Sequence, residues 1–526
     1  MSAELGLAIV GAVDLCLKYG SELRKICSAL RGAEAELEER ALRLENGWNR
    51  CIVQLQFLKR VQHKMDDSHR ELHERTLRML GGKLDLAASI LRSLITHQPI
   101  DNGHGPEVKL VPKRVRYAFK KARLDEVIDA LEMWQRLSDP SWFLILSMHD
   151  RQLDDMLEEN ESAVTGAIPS TRTIRTGFSS SVISSSNSSP GLSLPAMALD
   201  GMAISQIPFC DSRFAVNIRS DREVTYILDN IHCLHAAAYQ STKRNMRDLA
   251  KRLQHNEPEN FGLLRCKGFV AEMGNPSAGT QNTFLMVLRT PPGFARPRSL
   301  RDILLNTEPP TSLSHRFLIA REMARSIAYV HIFGFVHKNL RPETLLAFES
   351  PEKESHSLYL VGFEGFRKEE GATERIGDYA AEKNLYRHPS RQGVHPSDNF
   401  IMQHDIYSLG VSLLEVGLWH SFVDYDPQGT NPRLSTILAI PSNASDQELA
   451  HFLLISAKSR MIHLARTELR KCMGTQYSDI VETCLTCLDP DNNKFGDERE
   501  FEDEDGIQVG VRYIEKVLLR LNCLDV

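Results

Sequence analysis

Apolar residues recur at spacings of three and four through the first 155 residues of the chain. Leu37, Ala41, Leu44, Trp48, Ile52, Leu55 and Leu58 make one stripe. Leu77, Leu80, Leu84, Ala87, Leu91 and Leu94 make a second, and Leu124, Val127, Ile128, Leu131 and Trp134 a third. Such a period puts each set on one face of a helix. Ahead of them, Leu5 to Leu17 is apolar except for Asp14. Ser138, Asp139 and Pro140 supply a cap and a first-turn proline for a further short helix over residues 141–150. No period-two alternation is seen in this stretch, so the pattern predicts a bundle of four or five helices and no strands.

The pattern then breaks. Residues 156–207 include the run Ser179 to Gly191, which has too few apolar groups to offset the entropy of ordering, and they read as a Ser-rich flexible linker. Strand-like runs follow at Phe214 to Ile218, Glu223 to Leu228, Phe261 to Glu272 and Thr283 to Leu288. A helical stretch, Thr242 to Leu253, sits between the second and third of these. Helical patterns dominate from Leu300 onward, with Ile319, Met323, Ile327 and Val330 on one face of a helix over Leu313 to Val330. The expectation is an α + α/β multidomain chain: a helical bundle (1–155), the linker (156–207), a small β-rich lobe (208–309) and a helical lobe (310–526).

Composition narrows the function classes. Of 526 residues, 42% are apolar and 25% charged, as in globular proteins. A net charge of −6 gives no whole-chain case for a nucleic-acid partner. Ten scattered cysteines have no disulfide-framework spacing and suit reduced thiols in the cytoplasm. Cys484 and Cys487 form an isolated CxxC, open to zinc or to simple helix packing. The basic run Lys109 to Arg123 reads as a solvated helix face or as a contact for acidic lipid. No basic stretch or cleavage site marks Leu5 to Leu17 as a secretory signal. As a helix this run reaches about 20 Å at about 1.5 Å per residue. A bilayer core is roughly 30 Å thick. The run therefore suits a buried or interfacial helix, with Leu5, Leu7, Ile9, Val10 and Val13 as the candidate membrane or partner contacts and Gly6 and Gly11 permitting close approach.

The stretch that bears on chemistry is Phe333 to Phe348, FGFVHKNLRPETLLAF. It is followed in order by LYLVGFEGF, YRHPS and HDIYSLGVSLLEVGLW. Order and spacing resemble the eukaryotic protein-kinase C-lobe over about 200 residues. The resemblance implies a two-lobed kinase-like fold in which His337, Leu340, Pro342 and Phe363 shape and pack the loop. It also implies that Asp405 holds the loop backbone from below and Gly410 admits a neighbouring helix. The chemistry positions depart from it. Asn339 stands where active kinases carry the Asp that handles the substrate proton, and an amide is no base near neutral pH. Thr344 replaces the metal-binding Asn and Gly362 the metal-binding Asp. No Gly-rich phosphate loop precedes the sheet, and the strand in REVTYILDN has no lysine. Ser390 replaces a Glu whose buried Arg partner is also missing. No cofactor, metal or nucleotide is expected, except ATP and magnesium under an active-kinase reading.

The first segment, GLAIVGAVDLCLKYGSELRKI with the helices after it, resembles the HeLo and HeLo-like domains of fungal prion-linked incompatibility proteins. That family implies membrane-directed activity through the first helix. The combined layout is similar to the necroptotic executioners that join a helical bundle to a pseudokinase. Three readings follow: a pseudokinase-regulated cell-death or signalling effector recruited to membrane, a protein–protein scaffold whose bundle never meets lipid, and a divergent active kinase using Glu364 or Glu343. The first two imply a protein partner at the kinase-like domain, and the effector reading admits a homo-oligomer.

Overall fold

A computed structural model describes residues 2–30, 35–101, 106–112, 114–147, 192–195, 199–219, 222–233, 239–254, 258–272, 282–291, 297–310, 312–350, 353–363, 366–368, 377, 379–426, 429–440, 444–492, 495 and 507–524. The chain divides into two compact units, Met1–Arg172 and Thr173–Val526. The Ser-rich run and Glu364 lie outside the described residues.

The first unit is helical, as the periodicity predicts. Its helices are α1 (Ser2–Ala29), α2 (Ala35–Val61), α3 (Asp67–Leu94) and α4 (Arg114–Ser147). The second and third predicted stripes are buried in full, and the first is buried except at Ile52, which is half-exposed. Helix α1 packs on α2 and α3. Its residue Gly20 leaves the space into which the Trp48 ring fits, and Cys16 Sγ donates to the Leu77 carbonyl at 3.2 Å. Helices α2 and α4 are joined by a seam of ion pairs: Arg40–Asp125 at 2.6 Å, Arg43–Glu132 at 2.9 Å and Arg50–Asp139 at 2.9 Å.

Two expectations fail here. A hairpin, β1 (Ile95–Asp101) and β2 (Pro106–Pro112), pairs Ile95 with Pro112 and Asp101 with Pro106. The alternation of Val108 and Leu110 was hidden by reading the basic run from Lys109 as one helix face; only its part from Arg114 on is helical. Within that run, Lys120 Nζ donates to Ser93 Oγ at 2.9 Å and Lys121 pairs with Glu36 at 2.6 Å. Helix α4 also continues through Pro140, with no separate capped helix. Asp139 is not a cap: its carboxylate accepts from Arg50 and from Gln54 Nε2 at 2.8 Å, which ties α4 to α2. The packing of Trp142 edge-on against Phe57, ring centroids 5.1 Å apart, secures the segment beyond.

The second unit opens with an antiparallel five-stranded sheet in the order β3-β4-β5-β7-β6. The strands are β3 (Ala203–Gln206), β4 (Arg213–Arg219), β5 (Arg222–His232), β6 (Arg265–Glu272) and β7 (Thr283–Arg289). Helix α5 (Tyr239–Gln254) lies between β5 and β6 in sequence and packs on β6. All four predicted strands are present, the third shortened to Arg265–Glu272 because Phe261 ends a helical turn. The linker boundary is corrected: Leu192 and Leu194 exchange backbone hydrogen bonds with Phe269 at 2.8 Å, and β3 falls wholly inside the range read as linker. Edge strand β3 is mostly exposed, so it carries no apolar alternation to find.

Beyond the sheet come β8 (Arg298–Ser299), α6 (Leu300–Asn306), α7 (Leu313–Ile332), β9 (Phe335–Val336), the hairpin β10 (Leu345–Ser350) and β11 (Lys353–Leu360), and α8 (Met402–Leu418). Ile319, Met323, Ile327 and Val330 are all buried on α7. Gly410 on α8 faces the helix Arg470–Leu485, where a Cβ at 410 would stand 2.8 Å from Cys484 Cβ. Cys484 and Cys487 are both buried, and Cys487 Sγ donates to the Gln403 carbonyl at 3.2 Å. Both sit within helix packing, and among the described residues no group of three or more His, Cys, Asp or Glu could hold a metal ion.

Candidate functional site

The loop from His337 to Thr344 runs between β9 and β10 and is held by one buried carboxylate. Asp405, at the start of α8, accepts from the His337 N–H at 2.8 Å, the Lys338 N–H at 2.9 Å and His331 Nε2 at 3.1 Å. Burial opposes its charge, but the His331 hydrogen bond and nearby imidazoles hold the carboxyl below its usual range. Asp405 is fully enclosed and engaged at both oxygens, so it is a tether and not a proton acceptor. It also explains how Lys338 keeps a left-handed backbone, φ 66°. His337 is buried, donates from Nε2 to the Val361 carbonyl at 3.0 Å and meets the Phe363 ring edge-on at 4.9 Å. Leu340 and Pro342 are buried within the loop.

The three chemistry positions come together, but as a packed structural unit. Asn339 Nδ2 donates to the Gly362 carbonyl at 3.1 Å, and its Oδ1 accepts from Arg341 Nε at 3.0 Å. Both ends of the amide are therefore committed. Thr344 Oγ1 bonds the Asn339 carbonyl at 2.9 Å and accepts from the Arg341 N–H at 3.2 Å. Gly362 has φ 79°, a left-handed conformation that only glycine adopts freely, and a Cβ there would fall 2.9 Å from Thr344 Cβ. Asn339 Oδ1 and Thr344 Oγ1 are each already engaged in hydrogen bonds, and Gly362 has no side chain to offer a divalent cation.

Three further residues, absent from the sequence reading, complete the site. Asp229, buried on β5, accepts from the N–H groups of Gly362 at 3.0 Å and Phe363 at 2.9 Å. A charged residue inside the apolar run TYILDNI was the available signal. The turn between β3 and β4, residues 207–212, reaches the same place. Ser212 Oγ donates to the other oxygen of Asp229 at 3.0 Å, and Asp211 takes the Arg341 guanidinium at 3.0 Å.

Behind Arg341 lies a fully enclosed charge cluster. Arg301 pairs with Glu343 at 3.0 Å and Glu415 at 2.6 Å, and Tyr386 Oη donates to Glu415 at 2.8 Å. Tyr425 Oη adds a bond to Glu343 at 3.1 Å. Burial raises the Glu415 carboxyl, since a single guanidinium faces it. Burial opposes charge at Glu343 too, but Arg301 and Arg341 together hold it below the usual range. Glu343 is thus a bound counter-ion and is not open to a metal or a substrate proton. The charge embedded in SLLEVGLW was the sequence signal for Glu415.

Where the sequence lacks the expected Glu and Arg, a histidine–serine network stands with an ion pair against it. His404 Nδ1 accepts from the Ile401 N–H at 3.0 Å, so its Nε2 donates to Ser390 Oγ at 3.3 Å. Ser390 Oγ in turn donates to His388 Nδ1 at 2.9 Å. Lys458 pairs with Asp489, and its Nζ stands 3.4 Å from His388 Nε2.

The apolar positions of α1 divide between two faces. Ile9 and Val13 are buried, Leu5 and Val10 half-buried, and Leu7 is 74% exposed. Leu15 is exposed as well, so Leu7, Gly11 and Leu15 form an outward stripe at helical spacing. Of the two glycines, Gly6 lies close to the Gln62 side chain, whereas Gly11 faces open space. Among the described residues, no helix is long and apolar enough to cross a membrane. A scan against protein-family models finds no match for this chain, and a search of curated proteins finds none either.

Proposed function

We propose that residues 193–526 form a kinase-like module that does not transfer phosphate and serves as a regulatory, partner-binding domain for the helical unit. The observation that carries this reading is the commitment of Asn339, Thr344 and Gly362 to one another, with Asp229 on the adjoining amides. Loop shape is preserved by Asp405, while Asn339, Thr344 and Gly362 supply neither a carboxylate base nor a charged metal ligand. The five-stranded sheet with helix α5 and a single helical turn, Pro258–Phe261, between its third and fourth strands in sequence, followed by a helix-rich part, supports the two-lobed plan. The active-kinase alternative is disfavoured by Glu343, which is enclosed by Arg301 and Arg341.

The test is a thermal melt of the full chain with millimolar ATP and magnesium. A ligand present at 100 times its dissociation constant stabilises by about 2.7 kcal/mol. The reading expects no shift in melting temperature; a shift of several degrees together with phosphate transfer to any protein substrate overturns it.

For the helical unit we propose an effector role at a lipid surface, supported by the outward Leu7–Leu15 stripe. The scaffold reading has its own support, since Ile9 and Val13 belong to the core. Co-sedimentation of the full chain with anionic liposomes separates them: binding that Leu7→Asp abolishes supports the effector, and absence of binding by the unaltered chain leaves the scaffold.

A further inference from the structure

The turn 207–212 is built as a fastening. Its backbone folds back at Phe209, which holds a left-handed φ of 53°, a conformation that a bulky side chain adopts only when its surroundings enforce it. Four contacts do so. Ser299 Oγ donates to the Pro208 carbonyl at 2.6 Å, and the Phe209 ring lies 4.6 Å from that of Tyr425. Asp211 and Ser212 grip Arg341 and Asp229 as described above. These partners come from β5, from β8, from the loop at 341 and from the strand at 425. The two grips differ in strength. Ser212 and Asp229 are buried, whereas the Asp211 side chain is 70% exposed, open to solvent and to screening by salt.

We propose that residues 207–212 are a latch that closes over Arg341 and opens locally, with the Asp211–Arg341 pair as its releasable fastener. Opening frees the guanidinium edge of Arg341, relaxes the left-handed turn at Phe209 and removes the Ser212 hydroxyl from Asp229. Asp229 holds the Gly362 and Phe363 amides, so movement of the sheet edge is transmitted to the loop. The inference goes beyond the non-catalytic reading and does not depend on it, since neither its geometry nor its test involves a nucleotide.

The latch carries its own reporter. Cys210 lies within the turn and is only 7% exposed when it is closed; burial pushes its thiol up to about 12, so the closed state resists alkylation. The experiment is N-ethylmaleimide labelling of the full chain, read by mass spectrometry at the peptides holding Cys210 and Cys484. Cys484 is enclosed in the helical packing of the same unit and reports its global opening. In Asp211→Asn, Cys210 labelling should rise about fivefold, the loss expected for an exposed ion pair, with Cys484 unchanged. Salt at about 0.5 M should speed Cys210 labelling in the unaltered chain and have little effect in the variant. An unchanged Cys210 rate in Asp211→Asn overturns the latch, as does a rise that Cys484 shares.

Discussion

Thr344 fills the space that any side chain at Gly362 would need. A Cβ at position 362 would stand 2.9 Å from Thr344 Cβ and closer still to its methyl group, and the backbone there is left-handed at φ 79°. Two separate penalties therefore meet any attempt to restore a metal-binding side chain. The left-handed backbone costs a non-glycine residue about 1–2 kcal/mol. Overpacking costs about 1–3 kcal/mol more. Gly362→Ala should lower stability by roughly 2–5 kcal/mol on those two terms. Thr344→Ser keeps the hydroxyl and its hydrogen bonds but removes the methyl, so it should recover only part of the packing penalty, since the Cβ at 2.9 Å remains. A double-mutant cycle in urea checks this. Strictly additive effects of the two changes would show that the positions are not coupled.

Asn339 is bound into the same unit, which makes the obvious repair fail twice. Asn339→Asp should give no autophosphorylation, because Gly362 and Thr344 still hold no magnesium. It should also destabilise. The amide hydrogen given to the Gly362 carbonyl is lost, and a carboxylate oxygen faces that carbonyl instead. Leaving a buried acceptor unsatisfied costs about 1–3 kcal/mol. Radiolabelled phosphate incorporation and a urea midpoint measure the two outcomes. Phosphate on the variant, or an unchanged midpoint, contradicts the geometry described here.

What could be read from sequence follows the physics of each signal. Repeated apolar spacing is a direct record of burial, so the helical stripes around Trp48, Leu84 and Ile128 and the runs of β4 to β7 were legible. Edge strand β3 is mostly exposed and left no such record. Asp405 and His337 were legible as loop-shaping residues through motif spacing. Asp229, Asp211 and Arg301 were not, because each acts through a partner more than 40 residues away. Unlike Asp405, none of the three falls in a motif, and without one spacing along the chain has no way to express such a pairing. Helix α1 was half-legible: its apolarity was plain, but only packing decides that Ile9 points in and Leu7 out.

The same helix gives a test in which two identical substitutions should have opposite signs. At Gly20 a Cβ would overlap the ring of Trp48, which is 1% exposed and fixed among α2 residues. At Gly11 a Cβ meets nothing within 4 Å. Gly20→Ala should therefore destabilise the helical unit by about 1–3 kcal/mol through overpacking. Gly11→Ala should stabilise it by up to about 1 kcal/mol, the helix propensity gained. Thermal melts followed by circular dichroism distinguish them. A neutral Gly20→Ala would mean that Trp48 does not sit against α1.

Buried neutral histidines make the second unit sensitive to mild acid. Burial holds His337 at about 4, His388 at about 4 and His404 at about 3, each below the ordinary value near 6.5. The unfolded chain thus takes up protons that the native chain refuses as pH falls below about 6.5. Native stability is complete above that pH and declines below it, each histidine contributing a slope of about 1.4 kcal/mol per pH unit. Asp405 and Glu343, held below their ordinary values, add losses only at still lower pH, and Glu415, held above its own, opposes with a single proton. The network gives the physical reason. His388 Nδ1 accepts from the Ser390 hydroxyl and from its N–H, so a proton there would break both bonds. Urea midpoints at pH 7.5, 6.5 and 5.5 should fall across the series. In His388→Gln the side-chain carbonyl can still accept from Ser390, and the slope below pH 6.5 should diminish by about one histidine's share. A stability flat from pH 7.5 to 5.5, or a slope untouched by His388→Gln, would show that these imidazoles are not held neutral by burial.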